Sequence, residues 1–311
     1  MRLRAHPVRE SRPMALIEVS GPDMDGAALA AALESGAILS FPGQPLAPSP
    51  EHLAVLRRQN PGHSRFHKNI AYRPESGRMS GVSEIPREDR VAVHRALEDF
   101  SGRSLRFLAG LFPAYARSWR VDYTSFRPYE EEGRPLSPRS RNDRMHVDAF
   151  PSRPTNGDRI LRLFVNIHPS RDRVWISGGN FQRLAERYAL SSGILASVEA
   201  SRGEGALAGI LRAAGLRKGR RSAYDEFMLR FHDFLKENEE FQAAAREQFS
   251  FPPGSTWLVF TDGVSHAVLS GRHALEQTLL IARDSLASAE SAPISILERL
   301  AGRRLSVGAA A

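Results

Sequence analysis

Two ligand-type side chains, His146 and Asp148, stand two residues apart in the stretch Arg144–Pro169, RMHVDAFPSRPTNGDRILRLFVNIHP. In an extended chain the side chains at i and i+2 leave the same face. One imidazole nitrogen and one carboxylate oxygen would therefore point the same way. A His from elsewhere would complete a 2-His-1-carboxylate facial triad, the ligand set of non-haem Fe(II) oxygenases, which leaves metal positions open for a co-substrate and O2. The chain has ten His and no Cys, so disulfides and thiolate sites are excluded. Structural zinc, which takes four protein ligands and usually Cys, is disfavoured. His266 is the preferred third ligand, because it falls in a strand-like segment after an Asp-Gly turn. His168, at a strand end before Pro169, and His273, just after a turn, are the alternatives. Catalytic zinc on the same residues and a purely structural His–Asp hydrogen bond are the competing readings.

The elements around this pair have to place it in a β-walled cavity. Ile160–Ile167 alternates: Leu161, Leu163, Val165 and Ile167 make one aliphatic face, while Ile160, Arg162, Phe164 and Asn166 make the other. An Arg on an inward face needs an anion. Trp119–Tyr129 reads as a strand, as do Thr256–Thr261, Ser265–Leu269 and a run within His273–Arg283, separated by turns at Asp262-Gly263 and Ser270-Gly271. Helical spacing is expected over Asp25–Glu34 and Ile85–Trp119, with a break near Ser101-Gly102. Asn60–Gly81 reads as a long loop, and Ser177–Asn180 (SGGN) as a turn. Residues from about 181 to 250 read as a helical insertion whose apolar stripe, Tyr224, Phe227, Met228, Phe231, Phe234 and Leu235, docks on the domain. The expected fold is mixed α+β, with a jelly-roll core, flanking N-terminal helices and that insertion. Residues 1–13 are expected to be a disordered extension with Met14 a second candidate start, 14–285 one domain, and 286–311 a tail with a short helix.

Lys and Arg number 43 against 35 Asp and Glu, a net charge of +8. Such a surface favours polyanions; no zinc-finger or RNA-recognition signature is present, so no nucleic-acid partner is expected. No apolar run reaches the length of a membrane span, and the Arg-rich N-terminus lacks a secretory apolar stretch. A cytoplasmic location is the expectation. Arg212–Arg221 (RAAGLRKGRR) concentrates basic residues, including Lys218.

HVDAFPSRPTNGDRILRLFVNIHP, KNIAYRP, SAYDEFMLRFHDFLKEN and TDGVSHAVLSGR together resemble the Kdo hydroxylase family, over roughly Gly36 to Arg283. Kdo is 3-deoxy-D-manno-oct-2-ulosonic acid, an inner-core sugar of lipopolysaccharide. The resemblance implies a double-stranded β-helix dioxygenase that uses Fe(II), 2-oxoglutarate and O2. It implies 3-hydroxylation of a Kdo residue of Kdo-lipid A, giving D-glycero-D-talo-oct-2-ulosonic acid, succinate and CO2, at the cytoplasmic face of the inner membrane with peripheral contact to its anionic surface. His146, Asp148 and His266 match the family's iron triad. The co-substrate's distal carboxylate then falls to Arg162, with Arg272 as the alternative and Asn166 within reach. Lys68, Arg73, Arg127 and Lys218 become candidates for the substrate's anions. Two alternatives remain at this point: a 2-oxoglutarate oxygenase with another substrate, and a metal-free basic module binding lipid or nucleic acid.

Overall fold

The computed structural model describes residues 15–20, 25–59, 69–83, 85–133, 136–200 and 221–306. The expected extension 1–13, Lys68 and Lys218 lie outside them. The chain folds into a mixed α/β structure. Its strands are β1 (Leu16–Glu18), β2 (Ile38–Phe41), β3 (Ile70–Arg73), β4 (Arg78–Ser80), β5 (Arg120–Arg127), β6 (Arg159–Asn166), β7 (Arg173–Asn180), β8 (Glu247–Phe251), β9 (Thr256–Phe260), β10 (Val264–Ser270) and β11 (Ala274–Ile281). The larger sheet runs β1-β2-β9-β6-β11-β5-β3-β4, and the smaller β10-β7-β8. All pairings are antiparallel except β1 with β2.

The alternation in β6 explains why the sheets face one another. Phe164 leaves its inner face and joins Trp257 of β9, Trp175 of β7, Phe251 of β8 and Val264 and Val268 of β10 in an inter-sheet core. Phe251 stacks on Trp257 with ring centroids 4.1 Å apart, and Phe164 stacks on the same Trp257 at 5.2 Å. Leu161, Leu163, Val165 and Ile167 leave the opposite face into a second core. The helices α1 (Gly26–Glu34), α2 (Pro50–Arg57), α3 (Arg90–Leu111) and α4 (Pro113–Ala116) cover it. The helix α3 runs unbroken through Ser101-Gly102. A mid-helix Gly costs only about 1 kcal/mol, and Leu97, Phe100, Ser104 and Leu108 are all buried along one face.

The inserted segment contains α5 (Phe181–Tyr188), α6 (Ile194–Ala200), α7 (Ala223–Glu237) and α8 (Glu239–Ala243). The stripe on α7 packs into the main core through Tyr224, Phe227, Met228, Phe231 and Leu235. Near the C-terminus, α9 (Pro293–Ala301) buries Ile294, Ile296 and Leu297 in the same core.

Three further local expectations differ from the structure. The long loop expected over Asn60–Gly81 contains the β3–β4 hairpin, turned at Gly77, whose N–H donates to the Arg73 carbonyl at 2.9 Å. Pro74 beside such short strands hides them from a pattern reading. The expected end of the insertion contains β8, which pairs with β7. The SGGN segment is not a free turn but the last half of β7, paired with β10 across a register shift at Ser265/His266. A Cβ on Gly178 would stand 3.1 Å from Met145 Sδ. That glycine therefore lets the segment carrying His146 lie close against β7.

Candidate metal centre

Residues 142–148 run alongside β10 without forming a named strand. His146 and His266 are a directly opposed antiparallel pair: the His146 N–H donates to the His266 carbonyl at 3.1 Å, and the reverse bond is 2.9 Å. Two more ties extend the pairing, from the Val268 N–H to the Asn142 carbonyl and from the Asp148 N–H to the Thr261 carbonyl, each 2.8 Å. Opposed residues share a face, and so do residues two apart. Backbone pairing thus brings His146, Asp148 and His266 together, with one donor atom from each within 4.8 Å of the others. Residues 4–7% exposed supply all three.

The hydrogen bonds decide which nitrogens face inward. His146 Nδ1 lies 2.8 Å from the Arg144 carbonyl and His266 Nδ1 3.0 Å from the Val264 carbonyl. A carbonyl only accepts, so each Nδ1 carries the proton and each Nε2 presents a lone pair. Those Nε2 atoms stand 3.5 Å and 4.0 Å from the Asp148 carboxylate. Burial, then the nearby Lys236 charge, holds His146 well below the usual imidazole range, and burial does the same more mildly for His266. Burial alone would raise Asp148. The Arg162 guanidinium outweighs it and holds the carboxyl well below its usual range. At neutral pH the site is two neutral imidazoles and a carboxylate, all in ligand form.

Three lone pairs converge with no proton between them, and buried Asp148 Oδ2 has no well-aligned donor. A divalent cation resolves that conflict, and imidazole with carboxylate suits Fe(II). Among the described residues no fourth His, Asp or Glu joins the group, as an open catalytic position requires. Trp175 stacks on His266 at 5.1 Å and walls the site on the side of β7.

The helix α7 contributes two residues that the sequence reading passed over. His232 Nδ1 donates to the Val147 carbonyl at 2.8 Å, and its ring meets His146 edge-on at 4.7 Å. Lys236, buried, donates from Nζ to the Arg139 carbonyl at 3.0 Å. Their spacing of four, beside the apolar stripe, was the available signal. His232 fixes the Val147–Asp148 peptide, the second of the two between the adjacent ligands. Replacing it by Ala is expected to weaken divalent-metal binding about 10–100-fold, while His232→Asn, whose amide can donate from the same place, restores most of it. Metal titration of both variants checks this; equal affinity in the Ala variant and the wild type would remove the role.

A chain of buried charges leads away from Asp148. Arg162 Nη1 is 3.1 Å from Asp148 Oδ2, and its Nε is 3.5 Å from Glu276. Glu276 pairs with Arg127 at 2.6 Å, Arg127 reaches Glu131 at 3.9 Å, and Glu131 lies 3.7 Å from Arg173. Arg127, a candidate for the substrate's anions, stands between two carboxylates. Asn166, a candidate for reaching the co-substrate, bonds to the backbone. Its Nδ2 donates to the Arg171 and Phe251 carbonyls, each at 2.9 Å, and its Oδ1 accepts from the His168 N–H, so its amide is fully used in tying strand ends. Arg272 sits in the β10–β11 turn, six residues beyond His266, about 20 Å at strand rise. There it approaches His273 Nε2 at 3.3 Å. Arg73 stands at the end of β3, where its Nη2 donates to Tyr123 Oη at 2.5 Å.

The same far end explains why His168 and His273 are not ligands. Their rings stack on one another at 5.7 Å, among Arg57, Arg171 and Arg272. Burial and Arg272 push His273 down to about 4. The unfolded chain, near 6.5, therefore takes the proton first. Stability from the neutral ring is complete above about pH 6.5 and is lost as pH falls towards 4, by about 1–2 kcal/mol after solvent screening. His273 also has φ +58°, which Asn tolerates. His273→Asn is expected to flatten that acid limb in chemical unfolding followed from pH 7 to 4; an unchanged limb would exclude His273 as its source.

The sequence matches the family described as 3-deoxy-D-manno-oct-2-ulosonic acid (Kdo) hydroxylase over residues 19–304. Solved structures of the Kdo hydroxylase KdoO, a non-haem Fe(II) alphaketoglutarate-dependent dioxygenase, resemble it closely. Its cobalt(II) complex is 35% identical, covering 96% of this chain and 99% of that one, with a TM-score of 0.79. Its complex with alphaketoglutarate and Fe(III) is 34% identical over 95% and 98%, with a TM-score of 0.76. The succinate and Fe(III) complex is 34% identical over 96% and 99%, with a TM-score of 0.78. A comparison with curated proteins returned no match.

Proposed function

This chain belongs to the Kdo hydroxylase family, and from that premise we propose its reaction and the residues that carry it. It is an Fe(II)- and 2-oxoglutarate-dependent dioxygenase that hydroxylates Kdo with O2. The observation that carries this is the convergence of His146, Asp148 and His266, three ligand-form donors within 4.8 Å of one another in a buried pocket. These three hold the iron. The strand order supports the double-stranded β-helix designation: β5-β11-β6-β9 on one side, and β8-β7-β10 extended by residues 142–148 on the other.

Iron with 2-oxoglutarate supplies O2 activation for C–H hydroxylation, with succinate and CO2 as co-products. The chain supplies placement. The Nδ1–H bonds to Arg144 and Val264 orient the two imidazoles, and His232 steadies the Val147–Asp148 peptide. Arg162 lies on the inner face beside Asp148, with its Nε lacking an aligned acceptor, and holds the distal carboxylate of 2-oxoglutarate. Charge supports that assignment. Asp148, Glu276 and Glu131 balance Arg162, Arg127 and Arg173, so a divalent cation leaves the region positive and a dicarboxylate offsets it. Buried aromatic walls from Trp175 and Phe164 exclude water.

The substrate is a Kdo residue of Kdo-lipid A or a related precursor, hydroxylated at C3. No helix among the described residues is long and apolar enough to cross a membrane. We read the contact with lipid as peripheral, drawn by the +8 charge to the cytoplasmic face of the inner membrane. Incubating the protein with Kdo-lipid A, Fe(II), 2-oxoglutarate and O2 tests this: product mass rises by one oxygen on a Kdo residue. Consumption of 2-oxoglutarate with no oxygen added to the glycolipid would favour another substrate.

A further inference from the structure

The inner face of the larger sheet continues outward from the metal site as a ladder of guanidinium groups and rings. Alternation along β5 puts Tyr123 on the face of Ser125 and Arg127, the face that meets Glu276 of β11. Two arginines lie against that one phenol. The Arg73 guanidinium carbon is 4.9 Å from the ring centre and that of Arg153 is 4.4 Å. Arg153 also lies 4.2 Å from the centre of the Phe150 ring, and Arg162 is 5.5 Å from the same centre. The ladder thus runs Asp148, Arg162, Phe150, Arg153, Tyr123, Arg73. Arg153 stands no more than about 10 Å from the guanidinium that touches the proposed iron ligand.

The rungs become wetter outward. The side chain of Arg162 is 13% exposed and that of Arg153 29%, while Arg73 is exposed. The loop carrying Arg153 is built in place, because the buried Asp225 carboxylate at the start of α7 accepts the Thr155 and Asn156 N–H groups at 2.7 and 3.1 Å. Charges on the ladder are unequal. Arg153 pairs with Asp122, whereas Arg73 has a phenol hydroxyl as its partner and no carboxylate among the described residues. Two cations held over one ring, with one acid between them, leave room for a second anion. A planar guanidinium fork matches a carboxylate.

We propose that Arg73, Tyr123 and Arg153 form a clamp for the carboxylate of an acidic sugar, holding the ring whose neighbouring carbon is presented to the metal site. The inference rests on the reading of Kdo as substrate, whose C1 carboxylate is bonded to C2, the neighbour of C3. It assigns to this clamp the discrimination between a sugar acid and its neutral form. A lipid phosphate is disfavoured, because the clamp lies a few side chains from the metal ligands, where an anion on the reacting ring itself must sit.

The test uses the full protein with Fe(II) and 2-oxoglutarate under anaerobic conditions, titrated with the methyl glycoside of Kdo and with the C1 methyl ester of that glycoside. The wild-type protein is expected to bind the acid roughly tenfold or more tightly than the ester. Arg153→Met and Arg73→Met, which keep an apolar stem but remove the charge, bring that ratio close to one. Arg153→Lys recovers part of it. The Fe(II)–2-oxoglutarate absorption of each variant shows that its pocket has folded. Arg73, being exposed, keeps the test available if Arg153→Met does not fold. A ratio that persists in both Met variants overturns the clamp while leaving the enzyme reading intact. Wild-type protein that shows the absorption but binds neither compound overturns the clamp and the sugar reading together.

Discussion

The His146→Ala protein is expected to show no visible charge-transfer absorption when Fe(II) and 2-oxoglutarate are added without oxygen, where the wild-type protein shows one. The absorption requires the co-substrate to chelate a metal already held by the protein. His146 supplies one of three ligands, through an Nε2 whose lone pair is fixed inward by the Nδ1 bond to Arg144. Loss of an outer partner such as His232 costs about 10–100-fold in metal affinity, and loss of the ligand itself costs more than about 100-fold. Turnover falls with it, since no other His among the described residues lies in the donor group to take its place. His232 is the nearest imidazole, but its Nδ1 is engaged by Val147. Circular dichroism of the variant separates this loss from unfolding. Retained absorption in a folded variant removes His146 from the site.

Asp262→Ala is expected to destabilise the fold by about 3–5 kcal/mol. Asp262 and Arg159 form an ion pair at 2.9 Å with both side chains only 1% exposed. Arg159 also lies over the Phe260 ring at 4.1 Å. A Cβ at Gly263 would come within 2.2 Å of Arg159 Nη2, so the Asp-Gly sequence is needed twice, as partner and as space. Removing the carboxylate leaves a guanidinium in the core with no compensating charge. The pair itself is no great source of stability, because Arg159 Nη1 and Asp262 Oδ1 lack aligned partners and both groups have been taken out of water. The double variant Arg159→Leu with Asp262→Leu should therefore be more stable than Asp262→Ala alone. Guanidinium unfolding midpoints measure both. A single variant within about 1 kcal/mol of wild type would mean that the buried Arg159 finds another partner or reaches solvent.

Local geometry made some of the site readable in advance. The two-residue spacing of His146 and Asp148 requires a shared face in any extended backbone, and the alternation of Ile160–Ile167 marks Arg162 as inward. Both follow from strand pleating alone. Long motifs such as TDGVSHAVLSGR carried the family resemblance, and with it the iron and co-substrate. Other features depended on which segments meet. His232 looked like one more residue of a docking helix, because nothing on that helix reveals that the Val147 peptide lies across from it. Arg127 looked available to substrate, yet Glu276 and Glu131, far apart in sequence, enclose it. Asn166 shares a face with Arg162, but four residues along a strand carry it to another end of the sheet, where backbone carbonyls use its amide.

By itself, then, the order of residues determined the ligand types, the shared face of the adjacent pair and the inward cation, since each depends on distances of a few residues. Which distant imidazole completes the set was decided by tertiary pairing. The sequence ranks His266 above His168 and His273 only by its strand-like setting and the family resemblance, and the register that sets His266 opposite His146 is what gives it a view of Asp148. The physical reason is that strand register is a long-range property: a slip of one residue would turn His266 to the other face of its strand.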